Sequence, residues 1–274
     1  MASFIFISIF RKIHLIFSTK EYIFNGQTGA IIMKKILLFI SALFLSGCAA
    51  KNGAVCFTFD DFDRQGWLNA DNIFKKYHAH ATFFFSGEID QDRLDVMKKL
   101  RAAGHTIGLH TVRHKNAAPL EEQDTIEQYF DREVLPQLEK CRKNNIEIKS
   151  FAYPNNRHTP KTDAFMYKYF DFLRAGYGKN GKPVYIPLAD ISEKMVLPGG
   201  GIGKYYDSKL DDLIAILDHA AENNSLTVFF SHRIMPEAVH VHISPELLEA
   251  LLAHARKRNM HIIGAEELHT LRGK

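Results

Sequence analysis

Cysteine is scarce in this chain: three among 274 residues, Cys48, Cys56 and Cys141. So few cannot build the disulfide framework that small exported folds use when their cores are thin. The clearest apolar run, Ile36 to Leu45, is about half the roughly twenty residues that a membrane-spanning helix needs. Net charge is missing from most of the chain. The formal balance is +4, and residues 1–47 supply it all, with Arg11, Lys12, Lys20, Lys34 and Lys35 against Glu21. The remainder is neutral, which excludes the clustered Lys and Arg of a nucleic-acid surface. There is no internal repeat, no low-complexity linker and no composition break after Lys51, so solenoids and strings of modules are excluded as well. Hydrophobic residues make up 46% and charged residues 24%, ordinary values for a globular body. Histidine is plentiful, at fourteen.

The N-terminus reads as an address. Met33-Lys34-Lys35 precedes the run Ile36–Leu45, and Ser46-Gly47-Cys48 follows it. A basic start, a short apolar stretch and small residues make a secretory signal peptide. Leu45-Ser46-Gly47-Cys48 resembles the bacterial lipoprotein box, which implies lipidation of Cys48. The expected division is an upstream extension over residues 1–32, a lipoprotein signal peptide over 33–47, a lipidated N-terminus and tether over 48–52, and the main domain over 53–274. The upstream part fits a wrongly assigned start, or else a genuine second anchor. The expected location is outside the cytoplasm, lipid-anchored to a bacterial cell membrane on the periplasmic side, with Ala49 favouring the outer membrane.

Beyond Lys51, short apolar runs alternate with longer amphipathic segments. The pattern predicts strands at Ala54–Phe59, Ala81–Phe85, Thr106–Leu109, Ser150–Ala152, Asp171–Ala175, Met195–Leu197, Leu226–Phe230 and His261–Ile263. It predicts helices at Asp92–Ala103, Leu120–Asn144 with a break at Pro136, Lys161–Tyr169, Ser208–Asn223, and from Pro245 to about Asn259. Alternation of this kind argues for an α/β fold, a parallel sheet covered by helices. The length suits a closed or nearly closed distorted (β/α) barrel of TIM type with about seven strands. Chemistry in such folds sits at the carboxyl ends of the strands.

Three predicted strand ends carry reactive side chains. The first gives Asp60-Asp61, whose adjacent carboxylates point in different directions on an extended chain. The third gives His110 and His114, four residues apart. On a helical turn that spacing puts both imidazoles on one face, and two His with one carboxylate form a recognised catalytic metal set. A later strand end gives His232, placed for acid–base work. Each feature has a plain structural reading too: a surface turn, a solvated helix face, a rim histidine. His78, His80 and His105 read as structural, and Trp67 and Tyr177 as core residues unless they are exposed near the cleft. Pro198-Gly199-Gly200-Gly201-Ile202-Gly203 reads as a flexible loop.

Thr58-Phe59-Asp60-Asp61 and the eleven residues from Gly104 to His114 resemble the first two motifs of the polysaccharide deacetylase family. That family is also called the NodB-homology domain or carbohydrate esterase family 4. The resemblance covers about residues 53–270. It implies a distorted barrel and a divalent metal, most often Zn2+, held by Asp61, His110 and His114. It implies Asp60 as general base, His232 as general acid, and the backbone N–H of Asn155 as oxyanion donor. The third motif departs: Ala152-Tyr153-Pro154-Asn155 stands where the family often has Arg-x-Pro and an aromatic. Arg174, at another predicted strand end, could supply the missing guanidinium. Asp171 and Asp207 are the candidates to orient His232. The expected function is removal of N-acetyl groups from an envelope or exported polysaccharide of the N-acetylglucosamine type. The alternatives are an O-acetyl esterase on the same site and a catalytically weak glycan-binding lipoprotein. The expected partners are the acetylated polysaccharide and, through the lipid, the membrane.

Overall fold

The first strand sets the architecture. The computed structural model describes residues 52–120, 125–177, 182–236 and 241–272; the segment 33–47 expected to be a signal peptide, and Cys48, lie outside them. In β1 (Ala54–Asp61), Ala54 and Cys56 pack into one apolar cluster, while Val55, Phe57 and Phe59 pack into another. The two-residue period of a strand separates the clusters, one inside a barrel and one beneath its helices.

The remaining strands are β2 (Thr82–Phe85), β3 (Thr106–Leu109), β4 (Ser150–Ala152), β5 (Phe172–Gly176), β6 (Ile186–Pro187), β7 (Met195–Gly201), β8 (Ser225–Ser231), β9 (Arg233–Ile234), β10 (His242–Ile243) and β11 (His261–Ile262). The order β1-β2-β3-β4-β5-β7-β8 is parallel throughout. Pairing of Leu226–Ser231 in β8 with Ala54–Phe59 in β1 closes the ring. The result is the expected distorted barrel of seven parallel strands. One flank of β1 is shared: β11 pairs with Ala54 and Val55 near its start, and β2 with Thr58–Asp61 near its end.

The helices are α1 (Arg64–Lys76), α2 (Gln91–Ala102), α3 (Ile126–Glu133), α4 (Leu135–Lys143), α5 (Pro160–Met166), α6 (Leu210–Glu222) and α7 (Pro245–Lys257). α1 was not predicted. Its Gly66, Asn69 and Asn72 are poor helix formers, and packing overrides them. Asp63 caps it, and Trp67, Ala70 and Phe74 bury one face. The long helical stretch divides at Val134, with Pro136 in the first turn of α4, as a missing N–H demands. The glycine run is not a loop. Gly199, Gly200 and Gly201 pair with Val228, Phe229 and Phe230 inside the sheet. A Cβ on Gly200 would lie 2.3 Å from the Tyr177 ring and one on Gly201 2.4 Å from Tyr206, so the strand is glycine because side chains press on it.

The barrel floor is filled from the chain's end. Ile263, Ala265, Leu268 and Leu271 pack with Ala54, Cys56, Phe172, Leu197 and Leu226. Upward, the inner face of β1 turns polar at Thr58 and Asp60, both buried.

Candidate metal centre and active site

The alternation that hides Cys56 also carries Asp60 into the mouth of the barrel, where it is 3% exposed. Asp61 is the last residue of β1 and takes a left-handed conformation (φ 72°), so its half-exposed carboxylate turns toward the rim.

His110 follows β3. Its Nδ1 lies 2.8 Å from the carbonyl oxygen of Ala152. The proton therefore sits on Nδ1, and Nε2 is left as a lone pair aimed into the mouth. His114 arrives by a route the spacing did not suggest. No helix spans 110–114. Instead Thr111 (φ 70°) and His114 (φ 56°) are both left-handed, and the tight turn folds one ring against the other. Its supports come from α3 and α4. Buried Glu133 accepts from the Arg113 N–H at 2.8 Å and from Arg113 Nε at 2.7 Å. Gln137 Nε2 donates to the carbonyls of Phe85, Gly87 and Thr111. Sequence reasoning missed both residues. The signal was two polar side chains, four apart, within a buried helical face.

The Nε2 atoms of His110 and His114 are 3.1 Å apart, and each is 3.8 Å from Asp61 Oδ1. This is the one His/Asp cluster of metal-ligand type among the described residues. A point equidistant from the three atoms lies about 2.1 Å from each, inside the roughly 2.0–2.2 Å range of zinc–imidazole and zinc–carboxylate bonds. One carboxylate, two neutral imidazoles and an open side fit a catalytic divalent cation.

Two further groups flank the cluster. Asp60 Oδ2 is 4.0 Å from His110 Nε2 and accepts from Arg174 Nη2. Burial alone would raise the Asp60 carboxyl; Arg174, with His110 and His232 behind it, outweighs burial and holds it below the usual range. Burial pushes His110 down to about 4, which keeps it neutral. His232 follows β8, with Nε2 3.9 Å from Asp61 Oδ2. Burial lowers it, while Asp60 and Asp61 pull in the other direction. Trp67 is not a sugar platform: it is fully buried, and its Nε1 donates to the His232 carbonyl at 2.8 Å.

Neither candidate orients His232. Asp171 precedes β5, at the opposite end of the barrel, and faces His269 at 3.7 Å. Asp207 closes a left-handed turn. The Nδ1 of His232 is buried with no hydrogen-bond partner among the described residues. Asn155 is exposed and left-handed (φ 50°), and its side chain donates to Asn116 at 2.9 Å. His80 and His105 are structural: His80 faces Glu267 at 2.9 Å, and His105 accepts from the Ala81 N–H at 3.0 Å.

Fold and site together define a class: a parallel barrel with an Asp/His cluster of metal-ligand type at its carboxyl mouth. Residues 49–170 match the model of a protein family described as polysaccharide deacetylase. That match supports a hydrolase of the polysaccharide deacetylase kind. The solved structures that resemble this one share the barrel. A family 4 acetyl xylan esterase from Clostridium thermocellum, in complex with a cobalt ion, has 18% identity and a TM-score of 0.55, covering 80% of this chain and 91% of that one. The Xyl-CE4 domain of a multidomain xylanase from the hindgut metagenome of Trinervitermes trinervoides has 14% identity and a TM-score of 0.54, over 80% and 90%. The peptidoglycan deacetylase PdaC from Bacillus subtilis has 13% identity and a TM-score of 0.50, over 80% and 91%. No curated protein matches the chain in sequence.

Proposed function

We propose that this protein is a divalent-metal-dependent deacetylase that hydrolyses N-acetyl groups on an exported or envelope polysaccharide of the N-acetylglucosamine type. The observation that carries the reading is the cluster of Asp61, His110 and His114, with Asp60 on one side and His232 on the other, in one barrel mouth. A binding module needs no such set.

In this reading Asp61, His110 and His114 hold the cation, with zinc the first candidate and cobalt, nickel and iron the others. The bound cation supplies Lewis acidity toward the acetyl carbonyl and the attacking water. Asp60 accepts a proton from that water as its oxygen adds to the carbonyl carbon. The Asn155 N–H donates to the oxyanion. His232 Nε2 gives its proton to the amide nitrogen, the C–N bond breaks, and acetate leaves. An O-acetyl ester would use the same groups with less help from the acid. Likeness to an acetyl xylan esterase keeps that second reading alive.

We also infer that Cys48 carries lipid and tethers the barrel to the outer side of a bacterial cell membrane, the outer membrane being favoured. The boundaries that go with this are those read from the sequence: an extension over 1–32, a signal peptide over 33–47, a tether over 48–52 and the catalytic domain from 53. Radiolabelled palmitate incorporation, lost in Cys48→Ser, is the expected result; equal labelling of the variant would remove the anchor.

The test of function is acetate release by metal-stripped protein given back zinc. The substrates are an N-acetylglucosamine oligomer and an O-acetylated xylan oligomer. Zinc-dependent acetate from the first establishes the amidase. Acetate from the second alone makes it an esterase. None from either, with one zinc bound, sinks both and favours a glycan-binding role. Asp60→Asn should abolish release with zinc still bound.

A further inference from the structure

Ala152 stands on β4 where the resemblance leads one to expect an arginine, and its methyl is fully buried. The β4–β5 register pairs Ala152 directly with Arg174. A guanidinium therefore stands one strand further around the barrel, level with Ala152. Arg174 Nη2 donates to Asp60 Oδ2, and Nη1 donates to Asn156 Oδ1. The side chain is 1% exposed and lies against two aromatic faces, with its guanidinium carbon 4.7 Å from the Phe230 ring centre and 5.8 Å from that of Phe84.

The neighbours are cut to fit it. A Cβ on Gly199 of β7 would lie 3.3 Å from Arg174 Cδ and 3.1 Å from the Phe230 ring. Asn156 sits in the left-handed region (φ 57°), where asparagine is among the few residues at ease. A Cβ on Gly176 would lie 3.0 Å from the Asn156 side chain. Two strands and the turn after β4 therefore hold one planar fork. One prong is fixed by Asn156, and the other points at a single carboxylate oxygen.

We propose that Arg174, clamped by Asn156, is the positioning residue that aims Asp60 in this protein, in place of the guanidinium absent at Ala152. The proposal rests on the deacetylase reading. The contact falls on Oδ2, the oxygen 4.0 Å from His110 Nε2, and leaves Oδ1 buried without a hydrogen-bond partner among the described residues. Binding Oδ2 to a fork held by Asn156 fixes the rotation of the carboxylate beside the cluster.

The test compares wild-type full chain with Arg174→Met, Arg174→Met/Ala152→Arg and Asn156→Ala. Zinc content, thermal midpoint, kcat and KM on an N-acetylglucosamine pentamer are measured for each. Arg174→Met should keep one zinc and a KM within about threefold, and lose kcat by about a hundredfold or more. Returning the arginine at position 152 should recover kcat by about tenfold or more, because the two positions are register partners. A merely structural ion pair would give lower thermal midpoints without that recovery. Asn156→Ala leaves the Arg174–Asp60 contact in place and covers the case in which Arg174→Met fails to fold; it should lower kcat about tenfold at constant KM. Full kcat in Arg174→Met, or in Asn156→Ala, overturns the proposal alone. No acetate from wild type overturns the deacetylase reading, and the proposal falls with it.

Discussion

His105 is buried at the foot of the barrel, and burial pushes its imidazole down to about 4, against a pull from Asp71 that raises it. The unfolded chain would take up this proton near pH 6.5 and the folded one only near 4. Its contribution is therefore whole above pH 6.5 and is lost as pH falls toward 4. Chemical unfolding at stepped pH should show a loss of about 3 kcal/mol at most from this group. A His105→Gln variant should have a visibly flatter profile; an unchanged slope would remove His105 as the cause. Burial likewise raises the thiols of Cys56 and Cys141 to about 12, so the thiolate is scarce. A thiol reagent at pH 8 should label neither in the folded chain and both in denaturant. At this scale the sequence was most legible where a strand ran into a reactive pair, as at Asp60-Asp61. Arg174 stood out as a charge at the end of a predicted strand, able to supply the guanidinium missing at Ala152, but its pairing with Ala152 and its clamp by Asn156 needed the structure.

Between residues and the whole lies the turn at 110–114. The motif located its histidines, but their spacing suggested a helix, because four residues is also one helical turn. Left-handed Thr111 and His114 leave no trace in a hydropathy pattern. The supports on α3 and α4 were hidden for the same reason: Glu133 and Gln137 look like solvent-facing residues until their partners are known. A Gln137→Leu substitution would leave the carbonyls of Phe85, Gly87 and Thr111 without their shared donor. We expect it to cost about 2–3 kcal/mol in the metal-free chain and to weaken zinc about tenfold, as loss of a supporting hydrogen bond does elsewhere. Competition with a chelating dye measures the second effect, and unaltered affinity would show that the turn holds itself. Helix α1 was missed because its asparagines and glycine argue against it locally, while Trp67 and Phe74 argue for it only in the presence of the barrel.

For the molecule as a whole, strand and helix alternation gave the barrel, and the parallel order followed from it. The floor did not. Nothing in residues 265–271 announces that a short 3-10 segment will seal a barrel, yet Leu268 and Leu271 are fully buried there. Leu268→Ala should cost roughly 2–5 kcal/mol, read by denaturant unfolding. A value under about 1 kcal/mol would mean that the floor is dispensable. The protein from Lys51 onward should keep full acetate release, since every described site residue lies within it. The closing seam has a consequence of its own. It joins β1 to β8, with Thr58 and Phe229 bonded across 171 residues. A chain emerging from the ribosome in order has its first strand available early and must wait for nearly all the rest before that strand acquires both its neighbours. Contacts so distant form slowly. The ring therefore cannot close until Ser225–Ser231 has been made, and closure is the last event in building the barrel.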